Sequence, residues 1–298
     1  MSIKQRRYKM LADFDKVSDL LRNNFTKYQK SGNITQPRWE YAHVHPAFNC
    51  QLTHRFGIWE RNGEVVGVAS YEMDLGECFM NTKFGYEYLK PEMVEYGERE
   101  LFKLIKTDQG EKKNLIVWVF DYEQQVIETL IKRGYEKKHS EPVKIYKYEK
   151  GFPRRKLPPG FSLISLEDEN DIRKINNVLW KGFDHGDQPD DDLDCRLQMQ
   201  SAPNFRKDLT IIAKAPNGEY ACFCGMWRDG VNDYAYIEPL ATDPKYRGLG
   251  LAAAAITQAM KRTRKEGATY CFGGGGEFYS RIGFETIHHY QLWLKEWK

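Results

Sequence analysis

The chain has no apolar run near the ~18 residues needed to cross a bilayer. Its opening, Met1-Ser2-Ile3-Lys4-Gln5-Arg6-Arg7, leads into Tyr8 and polar residues, where a secretion signal would carry an apolar core. A cytoplasmic protein with no membrane partner is expected. A dominant charge sign is missing too: 45 Lys and Arg against 42 Asp and Glu leave a formal net charge of +3, which argues against nucleic acid as a partner. The six cysteines form no CxxC pair. Cys222 and Cys224, two apart in an apolar run, share one face of a strand, so packing accounts for them better than metal or disulfide chemistry. The P-loop pattern G-x-x-x-x-G-K-[ST] is absent, and no G-x-G-x-x-G follows the first strand of a βαβ unit.

What is present repeats itself. At 298 residues the chain exceeds the ~250 that one core usually serves. Tyr8-Lys9-Met10-Leu11 leads into Phe14, Val17, Leu20, Leu21 and Phe25, a helical spacing that begins behind Asp13 as its cap. The order returns at Phe161-Ser162-Leu163-Ile164, followed by Asp168 and a helix with Ile172, Ile175, Val178 and Leu179. Asn62-Gly63 and Asn217-Gly218 each sit between strand-like runs and predict two hairpins. Late in each half, Gly134-Tyr135 and Gly283-Phe284 place a helix-ending glycine before an aromatic that opens a strand. Chance could supply one such match; three in order indicate duplication. Pro153, Pro158, Pro159 and the basic residues between them mark the boundary, giving domains 1–150 and 151–298. Each half reads β, α, α, β, β, β, α, β, α, β, an α/β fold with a mixed sheet and helices on its faces.

The chemistry concentrates where the strand ending Leu240-Ala241-Thr242 passes Asp243-Pro244 into Arg247-Gly248-Leu249-Gly250-Leu251 and the Ala-rich helix from Ala252. The first amides of a helix have no internal partner, and the helix dipole adds about half a positive charge there. Glycines at 248 and 250 let an anion approach those amides. A glycine-capped helix that binds nothing is the bland alternative.

Arg247, Gly250 and Ala252 spell R-x-x-G-x-A, preceded by Pro244. This resembles the pyrophosphate-binding loop of the GNAT superfamily of N-acetyltransferases, [RQ]-x-x-G-x-[GA] between the fourth strand and the third helix. Glu277-Phe278-Tyr279-Ser280-Arg281-Ile282-Gly283-Phe284 is similar to the closing motif of that family. The two motifs cover about the last 60 residues, and the element order extends the likeness over 160–298. The resemblance implies two tandem GNAT-like domains, each a mixed, mostly antiparallel sheet flanked by helices. It also implies acetyl-CoA as cosubstrate and no metal. Arg247, Gly248, Leu249, Gly250, Leu251 and Ala252 would hold the pyrophosphate. Leu240, Ala241 and Thr242 would bond the pantetheine arm as another strand would. Tyr279 would protonate the departing thiolate, unless it merely packs under the sheet. Glu238, on the face of Leu240 and Thr242, is the expected base for an amine acceptor, with a structural pairing to a loop as the alternative.

Two stretches depart from the family. Phe272-Gly273-Gly274-Gly275-Gly276 stands where an Asn is common, and the N-terminal counterpart of the loop, Tyr88 to Glu98, is bulky and acidic. Glu92, Glu95 and Glu98 would repel a diphosphate, so the N-terminal domain is expected to be degenerate and the chain to have one CoA site. On the acceptor side, Asp190-Asp191-Asp192 would suit a cationic amine, but a solvated helix leader capped by Asp192 is the better reading. The expected activity is direct acetyl transfer to an amine, of a small molecule, with neither nucleic acid nor membrane as partner and a homodimer left open. The competing reading is a non-catalytic acyl-CoA sensor or interaction module.

Overall fold

Asn62 and Gly63 both adopt left-handed φ values, 53° and 82°, the backbone that a two-residue type I′ turn requires. They join β2 (Gly57–Arg61) to β3 (Glu64–Ser70). The second Asn-Gly closes a longer turn, with Gly218 at φ 84°, between β9 (Ile211–Lys214) and β10 (Tyr220–Trp227). The structure is a computed structural model that describes residues 2–108 and 110–298. Two units divide the chain: Met1–Val143 with Thr286–Lys298, and Lys144–Glu285.

In the first unit, β1 (Lys4–Arg7), β2, β3 and β4 (Glu77–Thr82) form an antiparallel run. β4 then pairs parallel with β6 (Gly110–Phe120), which also carries β5 (Lys103–Thr107). Helices α1 (Met10–Asn23), α2 (Gln36–Val44), α3 (Lys90–Glu100) and α4 (Gln124–Lys132) complete it, and β7 (Glu136–Lys147) follows. The hairpin of β5 and β6 is one strand more than the expected order.

The second unit repeats the plan with β8 (Ser162–Ser165), α5 (Ile172–Gly182), α6 (Asp194–Gln200), β9, β10, β11 (Tyr234–Thr242), α7 (Leu251–Lys265), β12 (Tyr270–Gly273) and α8 (Glu277–Arg281). Its strands from β8 to β11 are antiparallel neighbours, and β11 to β12 is parallel. The fold is the α/β fold expected, a mixed and mostly antiparallel sheet with helices. The repeated glycine is equally faithful. Tyr135 donates its amide to Leu130 and Phe284 to Tyr279, each at 3.0 Å, while Gly134 and Gly283 take left-handed φ values. This is the same helix-terminating pair of bonds in both halves.

The expected boundary between 150 and 151 differs from the observed division, and so does the place of the last strand. β13 (Glu285–Trp297) pairs antiparallel with β6 from Tyr290↔Phe120 to Trp297↔Lys113, inside the first unit. The end of β7 pairs instead with β12, from Lys147↔Tyr270 to Lys144↔Gly273, inside the second. Each half of the sequence therefore supplies the other unit's last strand. Packing gives the reason for β13: Tyr290 and Trp293 are buried in the first unit's core, and Tyr290 stacks on Phe120 at 4.4 Å.

Local capping differs from expectation at two aspartates. Asp13 lies one turn inside α1, accepting the Lys9 amide at 2.8 Å and pairing with Arg6 at 2.7 Å, while Lys9 occupies the cap position. Asp168 closes a turn by accepting from Ser165, and Asp171 caps α5 by accepting the Lys174 amide at 3.1 Å.

The N-terminal counterpart of the glycine loop is the start of α3. Glu92 accepts the Trp59 indole N–H at 2.9 Å, and Glu95 and Glu98 both pair with Arg133. Lys90, buried at the first turn, donates to the Gly32 carbonyl at 2.7 Å and pairs with Glu123. An internal cation thus occupies this helix start, where the second unit presents glycine. Among the described residues no helix is long and apolar enough to cross a membrane.

Trp293→Ala should cost about 3–5 kcal/mol, the usual range for emptying a buried Trp site. Hydrogen exchange should report the loss of protection in β4 and β6, with β12 retained. Loss centred on β12 would show that the last strand supports the second unit.

Candidate functional site

β10 and β11 pair in register from Cys222↔Thr242 to Cys224↔Leu240, then skip to Met226↔Ile237. Gly225 therefore faces two residues, Glu238 and Pro239, in a β-bulge. Only glycine fits: a Cβ there would stand 2.2 Å from the Glu238 carbonyl oxygen. The Trp227 indole N–H donates to that same carbonyl at 2.5 Å. On its other edge β11 pairs with β12 over Tyr234–Tyr236 only. Beyond the bulge, residues 237–242 keep β10 on one side and have no β12 partner on the other, an edge whose amides and carbonyls can receive an extended ligand.

That edge opens into a cavity of about 580 Å³. Leu240 and Thr242 line it from β11, Arg247, Gly248, Gly250, Leu251 and Ala252 from the loop and the start of α7, and Phe278, Arg281 and Ile282 from α8. Alternation holds along the strand: Ala241 turns to the opposite face and is buried. Leu249 is exposed and lies outside the lining.

Local hydrogen bonds set the loop. Asp243 accepts the Lys245 amide at 2.9 Å and caps a single 3₁₀ turn, Pro244–Tyr246. The Tyr246 hydroxyl donates to Glu219 at 2.6 Å. That bond, with others from Asn217 and Lys245, holds the Glu219 carboxyl down to about 2, so it stays an acceptor across the neutral range. Arg247 points back over the strand end, donating to the Gly182 carbonyl and to Asp184 at 2.9 Å each and to the Thr242 carbonyl at 3.3 Å. Gly182 packs so closely on Ala241 that a Cβ would sit 2.7 Å from the alanine methyl, which brings the end of α5 onto β11.

Gly248 and Gly250 have φ values of 81° and 76°, and open space surrounds the position of a Cβ at each. Gly250 is the N-cap of α7 and supplies no side-chain acceptor. The first amides of a 15-residue helix are therefore left unpaired by side chains and face a cavity. No carboxylate lines that cavity among the described residues. Shape, donors and charge suit a diphosphate on an extended arm.

Tyr279 and Glu238 are not among the lining residues. Tyr279, on α8, is half-buried with its ring against Gly273 and Gly274, where a Cβ would approach within 2.5 and 2.9 Å. The glycine run where the family often has Asn makes room for this ring. Burial raises the Tyr279 pKa well above the ordinary phenol value, and the Glu238 and Cys224 charges raise it further, against a Gly274 backbone hydrogen bond that lowers it. The two expected catalytic side chains are thus close enough to interact electrostatically. Tyr279 remains a phenol at neutral pH, a proton donor in form.

Other expected features fall into ordinary places. Cys222, Cys224 and Cys271 are buried free thiols, with Cys222 pushed up to about 12 by burial. No cluster of three metal-ligating side chains exists among the described residues. Asp192 accepts the Asp194 amide at 3.0 Å at the start of α6. Arg155 joins the cavity wall from a segment that reads in sequence as a solvated linker. Nothing in its local pattern separates it from Arg154, which lies outside the lining; only tertiary placement does.

Residues 170–284 match the family model described as "Acetyltransferase (GNAT) family". The chain is 27% identical over 135 residues to "Uncharacterized N-acetyltransferase YhbS" of Escherichia coli strain K12, covering 44% of this chain and 77% of that protein. Two solved structures follow nearly all of it. A GCN5-related N-acetyltransferase from Sphaerobacter thermophilus has a TM-score of 0.61 at 15% identity, with 99% of this chain and 95% of that one covered. A tandem GNAT protein from the clavulanic acid biosynthesis pathway has a TM-score of 0.61 at 10% identity, with 99% and 98% covered. At such identities these structures speak for the fold.

Alanine at the two kinds of glycine separates conformation from contact. Gly250→Ala should cost about 1–2 kcal/mol, the penalty of a left-handed residue in open space. Gly225→Ala should cost more, because the bulge must shift as well. Urea unfolding of both variants checks this, and a smaller loss at Gly225 would contradict the bulge geometry.

Proposed function

From the premise that residues 170–284 are a GNAT acetyltransferase domain, we propose that this chain moves an acetyl group from acetyl-CoA directly to the amine of a small molecule. The supporting observation is the junction of an open strand edge with unpaired helix amides in one cavity free of carboxylates. In this reading the amides from Gly248 to Ala252 hold the diphosphate, with Arg247 beside them. The pantetheine arm runs along Thr242 and Leu240 toward Glu238. The four residue steps from Thr242 to Glu238 span about 13 Å, at roughly 3.3 Å each.

At the far end, Glu238 takes the proton from the ammonium form of the acceptor, directly or through a water. The amine nitrogen then attacks the thioester carbonyl and releases its second proton to solvent as the C–N bond forms and the C–S bond breaks. Tyr279 donates its phenolic proton to the departing thiolate and recovers one from solvent. Its burial favours the protonated form, which the donor role needs.

Tyr279→Phe is expected to lower kcat by about 10²–10⁴, the usual worth of a positioned general acid, with acetyl-CoA affinity nearly unchanged. Thiol release measured with polyamines, aminoglycosides, amino acids and peptides as acceptors supplies the rates, and equal turnover would remove Tyr279 from the reaction. The raised phenol pKa has a pH consequence. A group that stays protonated up to a higher pH keeps its donor role there, so the Tyr279-dependent part of kcat should persist through about pH 10. A fall centred near pH 8 that Tyr279→Phe abolishes would refute that assignment. Gly250→Glu should abolish acetyl-CoA binding in calorimetry by placing a carboxylate at the helix start; unchanged affinity would rule out the loop as the diphosphate site.

A further inference from the structure

Three guanidinium groups line the cavity, and only one of them is neutralised. Arg247 pairs with Asp184, whereas Arg155 and Arg281 have no ion pair or side-chain hydrogen bond among the described residues. Two cations without a carboxylate partner make the wall of that cavity electropositive, which favours an anion there.

Each is carried by an anchored stretch of backbone, with its side chain exposed. Arg155 belongs to a segment anchored on either side. Phe152 lies against Tyr148 at 5.1 Å, with Arg264 over its ring at 5.7 Å, and Leu157 packs on the unit's core. Of the three consecutive basic residues Arg154, Arg155 and Lys156, only Arg155 reaches the cavity. Arg281 ends α8, and Phe278 in that helix and Ile282 just after it pack on the same core. A cation in the last turn of a helix is ordinary. That does not account for a second arginine, from a distant segment, on the wall of the same cavity.

Resting on the acetyl-CoA reading above, we propose that Arg155 and Arg281 form a second anion subsite, for the 3′-phosphate of the cofactor's adenosine, separate from the diphosphate on the α7 amides. A phosphomonoester carries close to two negative charges at neutral pH and offers three acceptor oxygens, which two guanidinium forks match. The subsite makes the protein selective for CoA over dephospho-CoA, which has the same diphosphate and the same pantetheine arm. Selectivity then resides in the residues 151–160 segment and α8, while the R-x-x-G-x-A loop supplies binding common to both ligands.

Calorimetric titration with CoA and with dephospho-CoA tests this on the parent chain, Arg155→Ala, Arg281→Ala, the double variant and Arg154→Ala, with thermal melts to verify folding. The parent should bind CoA at least about tenfold more tightly, the scale of one charged hydrogen-bonding contact. The double variant should lose that preference through weaker CoA binding, with dephospho-CoA affinity unchanged; Arg154→Ala should keep it. Raising the salt concentration should narrow the preference in the parent. Equal affinities in the parent, equal weakening of both ligands in the variants, or a preference that survives in the double variant would each overturn the subsite. Binding of neither ligand by the parent would instead overturn the cofactor reading, and this assignment with it.

Discussion

The site depends on one interruption of backbone pairing. β11 is bonded to β12 through Tyr236 and no further, and the bulge of Glu238 and Pro239 against Gly225 lies where the two strands part. A buried strand edge left unpaired costs free energy at every amide and carbonyl, so the parting is stable only where water or a ligand reaches it. The cavity lies along that edge. Gly225 maintains the interruption by letting the Glu238 carbonyl approach within the space a methyl would fill, and the Trp227 indole holds the carbonyl there.

The loop after β11 adds a second kind of donor. Left-handed backbone at Gly248 and Gly250 turns the chain so that α7 begins facing the cavity without a side-chain cap. Ser, Thr, Asp or Asn at the cap position would cover a first-turn amide, as Asp171 does in α5. Gly250 does not, and the amides remain available to an anion. The start of α3 in the first unit shows the alternative. There Lys90 is buried against Gly32 and Glu123, and Glu92, Glu95 and Glu98 are engaged by Trp59 and Arg133. The same step of the fold has become a closed structural junction.

The exchange of terminal strands gives the duplication its present form. β13 completes the first unit's sheet and the end of β7 completes the second's, so neither half of the sequence contains all the strands of the unit it mostly builds. A cut at the basic, proline-rich segment 151–160 would therefore not yield two complete units. That segment also brings Arg155 to the cavity wall, which ties it to the site as well as to the connection.

Local physics made much of this readable in advance. Asn62-Gly63 and Asn217-Gly218 mark turns because few other pairs tolerate positive φ, and Gly134 and Gly283 end helices for the same reason. The R-x-x-G-x-A loop is legible because its left-handed glycines and the helix start behind them lie at adjacent positions. What the sequence by itself determined was therefore whatever depends on neighbours along the chain: periodicity, turns, caps and the glycine loop. Only the tertiary structure decided which strand completes which sheet, since β6 and β12 differ as partners through packing that no local pattern records. The same holds for Arg155 on the cavity wall that Arg281 also lines, and for the capping at Lys9 and Asp171 in place of Asp13 and Asp168. Each of these is a contact between segments remote in sequence, or a choice among near-equal local options, and long-range packing settles both.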